Sequence, residues 1–196
     1  MYERILVPTD GSTGTAHVAM QAIDLAEQYD GTIYALNVVD TEVSSLLSDA
    51  GGDGERLQEQ GESAVQVVER MAEGHDVDVE TAVESGDPAE TILAYADEID
   101  ADVIVVGTHG RSGVKRYVLG SVAERLVRHS TCPVLTVRLP ESDVTVKTAD
   151  EAEEIVEHAL ESHGYDASVT GVNRQRNVWV VDAEGAGGTY LVYLDP

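Results

Sequence analysis

Four consecutive β-branched residues, Val103, Ile104, Val105 and Val106, run without a polar interruption into Gly107. A strand with one wet face alternates apolar and polar side chains, so an unbroken run needs cover on both faces. That requirement selects a sheet sandwiched between helices. The glycine-rich stretch that follows, Gly107 to Ser121, leads into a helical pattern from Val122 to Arg128, which makes a strand, loop and helix joint. Glycines at such a joint let backbone N–H groups approach a ligand closely, and the first turn of the helix adds unpaired N–H groups and a dipole that favours negative charge. The joint reads as an anion cradle.

Local charge supports that reading. Of 12 Lys and Arg in the chain, Arg111, Lys115, Arg116, Arg125 and Arg128 fall between Gly107 and Cys132, where Glu124 is the single acid, while the whole chain carries a formal charge of −25. An anion therefore has one obvious destination. Arg125 and Arg128 also suit the end of a helix, where basic side chains complement the dipole.

The rest of the chain repeats the joint's logic. Arg4 to Asp10 is a short apolar run ending in turn residues, Thr32 to Asp40 a second strand, Val77 to Glu84 a third, Asp102 to Val106 a fourth and Pro133 to Arg138 a fifth. Between them lie helical patterns at Gly14 to Gln28, with a face of alanines and Ile23, at Glu55 to Glu73, and from Asp87. The sequence Asp87-Pro88-Ala-Glu90 predicts a helix start with an N-cap acid, proline in the first turn and a capping box. Thr41 to Gly54 is polar and glycine-rich and reads as a mobile loop. Five alternations of strand and helix predict an α/β fold with a doubly wound parallel sheet, whose ligands bind at the carboxyl ends of the strands.

The spacing Gly107-x2-Gly110-x9-Gly120-Ser121, with Pro8-Thr9-Asp10 after the first strand, resembles the ATP-binding branch of the universal stress protein family over about residues 1–139. The resemblance implies a sheet order of 3-2-1-4-5 and a homodimer joined through the fifth strand, residues 133–138. It implies ATP, or ADP or AMP, as ligand, with Mg²⁺ held in part by Asp10. Pro8, Thr9 and Asp10 would lie by the ribose and phosphates, the backbone of Val38 by the adenine, and Val106 and Gly107 at the start of the cradle. His109, Gly110, Arg111, Gly120, Ser121 and Val122 would form the phosphate side. From the residues alone, Asp10 could instead cap a turn, and Val38 would be core in any fold of this kind. The implied function is stress-response regulation by nucleotide binding. A slow ATPase or phosphotransferase at the same site, or an interaction module independent of nucleotide, are the alternatives, and no general base or transition-state device stands out.

Other chemistry fits less well. There is no G-x-x-x-x-G-K-[ST] phosphate loop, and Gly185-Ala-Gly187-Gly188 lacks dinucleotide spacing. His129 and Cys132 have metal-like spacing but no second pair, and the lone Cys132 reads as a small buried residue. No window approaches the roughly 18 uninterrupted apolar residues of a membrane span, and the N-terminus runs directly into a strand, so a soluble cytoplasmic protein is expected. An excess of 37 acidic over 12 basic residues speaks against nucleic acid as a partner. The composition resembles that of proteins from halophilic archaea, where salt screens self-repulsion.

After Pro140 the pattern changes. Residues 141–196 predict a small α+β domain: a short strand at Val144 to Lys147, a capping box at Thr148 to Glu151, a helix to His163, and an antiparallel meander at 167–172, 177–182 and 189–194. Its last two strands look apolar on both faces, which predicts docking onto the larger domain, a second subunit or another protein.

Overall fold

In the computed structural model, which describes residues 1–12, 14–41, 54–108, 119–138, 146–162, 164–175, 178–185 and 188–194, the apolar runs become strands of two sheets. By internal contacts the chain divides into two compact units, Met1–Pro140 and Glu141–Pro196. The first holds strands β1 (Arg4–Pro8), β2 (Thr32–Asp40), β3 (Val79–Gly86), β4 (Val103–Gly107) and β5 (Val134–Val137). They pair in parallel in the order β3-β2-β1-β4-β5. The doubly wound sheet expected from the sequence is the one formed.

Burial explains why. Leu6, Leu36, Ile104 and Val106 pack with Ile92, Ala96, Ala123 and Leu126 in one cluster. Their strand neighbours Ile5, Val7, Ile33, Ala35, Val103 and Val105 point the other way and are buried just as fully. Both faces are therefore covered, each large side chain contributing about 1.5–3 kcal/mol. The covers are helices α1 (Thr15–Tyr29), α2 (Gly54–Glu73), α3 (Pro88–Glu98) and α4 (Ser121–His129), with α1 packed on α2 and α3 on α4. The expected small face of α1 is the buried one, through Ala16, Ala19, Ala22, Ile23 and Ala26.

Several boundaries differ from the sequence reading for local reasons. β3 begins at Val79 because the Val77 N–H bonds Ala72 O and finishes α2, and it runs on to Gly86 because β2 offers partners as far as Asp40. β1 ends at Pro8, and Asp10 lies in the turn residues expected after it. The loop expected at 41–54 falls almost wholly outside the described residues.

In the second unit, helix α5 (Ala149–Ser162) rests on an antiparallel sheet of β6 (Ala167–Gln175), β7 (Val178–Gly185) and β8 (Gly188–Leu194). The capping box is reciprocal: Glu151 N–H donates to Thr148 Oγ1 at 3.2 Å, and Thr148 N–H to Glu151 Oε2 at 3.3 Å. Val146, Ala152, Val156, Leu160, Trp179, Val181 and Ala183 form the core, and the Trp179 indole donates to Val146 O at 2.9 Å. Two expectations change here. Val144 and Thr145 lie outside the described residues, and Val146 and Lys147 are not in a strand. β7 also runs beyond the expected end at Asp182 to Gly185, which adds Glu184 opposite Thr189 to the face that already carries Asp182 opposite Leu191.

Candidate functional site: the crevice at the strand ends

The turn after β1 is held by its own side chains. Thr15 Oγ1 donates to Ser12 O at 2.9 Å, so its 3.2 Å bond with Thr9 Oγ1 is donated by Thr9, which in turn accepts Gly11 N–H at 3.2 Å. Asp10 Oδ1 accepts Ser12 N–H at 2.9 Å, closing an Asx turn, and Gly11 adopts φ 68° to complete it. Asp10 thus shapes the turn and does not cap α1, whose N-cap is Gly14 without a side-chain bond. Beneath the turn, buried Asn37 of β2 donates Nδ2–H to Thr9 O at 2.7 Å. The Asn37 amide adds a side-chain tie between the two strand ends to the backbone bond from Thr9 N–H to Leu36 O at 2.8 Å.

Beside it, β4 leads to Thr108, whose N–H bonds Val137 O, while Thr108 O accepts Gly120 N–H at 2.8 Å. Thr108 and Gly120, twelve positions apart, are thus bonded to each other. Gly120 then caps α4 with no side-chain bond, so the first N–H groups of that helix have no capping partner from Gly120. Such a helix start is a ready site for an anion.

A cavity of about 470 Å³ lies over these strand ends. It is lined by Pro8, Thr9, Asp10, Val38, Val106, Gly107, Gly120, Ser121 and Val122, all of which the sequence singled out, and the fold brings them together. His109, Gly110 and Arg111, with Lys115 and Arg116, lie outside the described residues. Val39 and Asp40 line it as well, at the expected end of β2, whereas sequence reasoning missed Asn37 of β2, Leu57, Gln60 and Gly61 of α2, and Pro88 and Ile92 of α3. Asn37 alone left a signal, a polar residue in the apolar run Ile33 to Val39.

The expected pool of basic charge is smaller than it appeared. Arg125 Nη1 donates to both Asp87 carboxylate oxygens at 2.8 and 2.9 Å, and its Nη2 to Glu90 at 3.1 Å. Arg128 binds Glu124 at 2.7 Å. Asp87 is also the N-cap of α3, accepting Glu90 N–H at 2.9 Å. That backbone bond first, and the guanidinium second, hold its carboxyl below the ordinary value of 3.8, and the same pairing raises Arg125. Arg125 thus braces α4 against α3, Arg128 pairs within α4, and both face carboxylates.

The sequence model of the universal stress protein family matches residues 1–138, all five parallel strands and the crevice included. The chain belongs to this family. Universal stress protein MJ0531 of Methanocaldococcus jannaschii is 39% identical over 146 residues, spanning 73% of this chain and 86% of the relative. Among solved universal stress protein folds, the hypothetical protein MJ0577, studied to assign its biochemical function from structure, superposes with a TM-score of 0.66 at 26% identity, over 72% of this chain and 99% of its own. A universal stress protein in complex with cAMP superposes with a TM-score of 0.53 at 26% identity, over 69% and 97%. The family match ends before the second unit begins, so that unit is outside what the universal stress protein likeness covers.

Proposed function

We propose that this universal stress protein is a regulatory binder of an adenine nucleotide, ATP in the first instance, and that it works as a homodimer through edge strand β5. The observation that carries the reading is the meeting of Pro8 to Asp10, Val38, Val106 to Gly107 and Gly120 to Val122 around one crevice at the start of an uncapped helix. A phosphate chain fits the α4 end, where the first turn of the helix, Ser121 to Ala123, lines the cavity, and the sequence stretch with His109, Gly110 and Arg111 runs from Thr108 to Gly120 beside it. The base fits the β2 end, by the backbone of Val38. Asp10 is the carboxylate for Mg²⁺: its acidic neighbourhood to the phosphates suits a hard cation with oxygen ligands. The solved relative in complex with cAMP supports an adenine ligand in this family. The Asx-turn role of Asp10 favours binding over turnover, because a carboxylate spent on turn geometry is poorly placed to accept a proton. Edge strand β5, with Leu135 exposed, supports pairing between copies.

The test uses two variants in molar KCl. Ser121→Glu puts a carboxylate at the first position of α4, where it suits the helix but repels a phosphate. Isothermal titration is expected to show ATP binding to the wild type and a loss of more than about tenfold in Ser121→Glu, with the thermal midpoint unchanged or raised. Asp10→Asn keeps an acceptor for Ser12 N–H, so the turn survives while the gain in ATP affinity on adding Mg²⁺ shrinks. A wild type that binds none of ATP, ADP or AMP would end the proposal.

A further inference from the structure

The polar side chains of the crevice are nearly all committed to the protein itself. The Thr9 and Thr15 hydroxyls are bonded to each other and to the turn, Asn37 gives its Nδ2–H to Thr9 O, and Asp10 accepts from Ser12. Gln60 of α2 is different. It is half-buried, it lines the crevice, and its carboxamide has no hydrogen-bond partner among the described residues. Leu57, one turn earlier on α2, lines the crevice too.

The height of Gln60 above the sheet is set by its neighbour. A Cβ at Gly61 would lie 2.6 Å from Asn37 Oδ1 and 2.9 Å from Val83 Cγ1, so α2 comes this close to β2 and β3 because that position is glycine. Asn37 precedes Val38, where the nucleotide reading puts the base. Gln60 therefore lines the crevice from the helix that packs on β2 and β3, whereas the uncapped start of α4 lines it from the helix that follows β4.

We infer that Gln60 is a specificity-determining residue whose carboxamide reads the N6 and N7 edge of the base and so selects adenine over guanine. A carboxamide offers one N–H donor group beside one oxygen acceptor. At its N6 and N7 edge adenine answers with an amino donor beside a ring-nitrogen acceptor, whereas the same edge of guanine, O6 and N7, shows two acceptors and satisfies half of the pair. Guanine's N1–H and O6 would satisfy both, so the selection belongs to a base that presents its N6 and N7 edge. Leu57 supplies apolar contact for the ring face. This inference rests on the proposed nucleotide reading and adds to it a side chain that reads the base, where the family resemblance offers only the Val38 backbone.

The experiment titrates the full chain, wild type and Gln60→Leu, with ATP, with GTP and with inorganic tripolyphosphate. Leucine and glutamine have similar helix propensities and similar size, so the fold is not at stake. The wild type is expected to prefer ATP to GTP by about tenfold or more. In Gln60→Leu that ratio falls towards one, while tripolyphosphate binds as before. If the variant keeps the wild-type ratio, or weakens ATP and GTP equally, Gln60 does not read the base and the nucleotide reading stands without it. If the wild type binds ATP and GTP equally, the inference also fails. If the wild type binds none of the three, the nucleotide reading itself fails and takes the inference with it.

Discussion

At Gly61 two rules of helix energetics point in opposite directions. Glycine inside a helix costs about 1 kcal/mol relative to alanine, so propensity alone predicts that Gly61→Ala stabilises the protein. The new methyl would meet Asn37 Oδ1 at 2.6 Å and Val83 Cγ1 at 2.9 Å. Asn37 cannot turn away without releasing Thr9 O, a buried acceptor worth about 1–3 kcal/mol if left unpaired. Overpacking of this kind costs about 1–3 kcal/mol, so Gly61→Ala is expected to destabilise by a net amount of roughly 1 kcal/mol, read from denaturant unfolding. A stabilised variant would mean that α2 can lift off β2 at no cost. The same residues mark the limit of what spacing can show. Pro8 to Asp10 and Gly120 to Val122 sit on recognisable punctuation at strand and helix ends. Asn37, Gln60 and Gly61 matter through contacts with Thr9, Val83 and the cavity, which are set by how α2 lies on the sheet.

One sequence signature at the element scale gives two different outcomes. Thr148 to Glu151 forms the full reciprocal box, but at Asp87 to Glu90 the Asp87 carboxylate caps Glu90 N–H while the Glu90 carboxylate takes a bond from Arg125, 35 residues away. Helix starts were legible because capping is local. The brace between α3 and α4 was not, because its partners meet only after two crossovers. Strand existence and order followed from unbroken apolar runs, while the ends of β1 and β3 were set by their neighbours in the sheet. The brace predicts an acid dependence. The folded Asp87 carboxyl titrates below 3.8, the ordinary value it regains on unfolding, so its contribution is intact above 3.8 and is lost as pH falls through the lower folded value. Asp87→Ala should cost about 1 kcal/mol at neutral pH through the lost cap. The ion pair with Arg125 is exposed and adds little, the less so in high salt. The stabilities of wild type and variant, measured from pH 7 downwards, should therefore draw together as pH falls below 3.8 and through the lower folded value. A stability difference that stays constant to pH 2 would show that the Asp87 charge contributes nothing.

Charge governs the whole molecule. Residues 1–140 hold 25 acidic and 9 basic residues, and residues 141–196 hold 12 and 3, so both units are strongly negative and the smaller carries more charge for its length. In α5, Asp150, Glu151, Glu153, Glu154, Glu157 and Glu161 have no Lys or Arg on the same helix, and like charges three or four apart repel. A unit of this size also buries a smaller fraction of its surface and has less stability to lose. At molar ionic strength the Debye length is about 3 Å and most of this repulsion is screened, against about 10 Å at 0.1 M. Lowering KCl should therefore loosen the second unit before the first. The chain provides a reporter for this, because its single tryptophan, Trp179, is buried in the second unit's core and bonded to Val146 O. Tryptophan emission follows that unit, and far-ultraviolet circular dichroism is dominated by the larger one. As KCl falls from molar to 0.1 M, both thermal midpoints should drop, and the tryptophan transition should separate to the lower temperature. Midpoints that do not fall would remove electrostatic self-repulsion as a force on this fold. Transitions that fall but stay coincident would mean that the two units unfold as one.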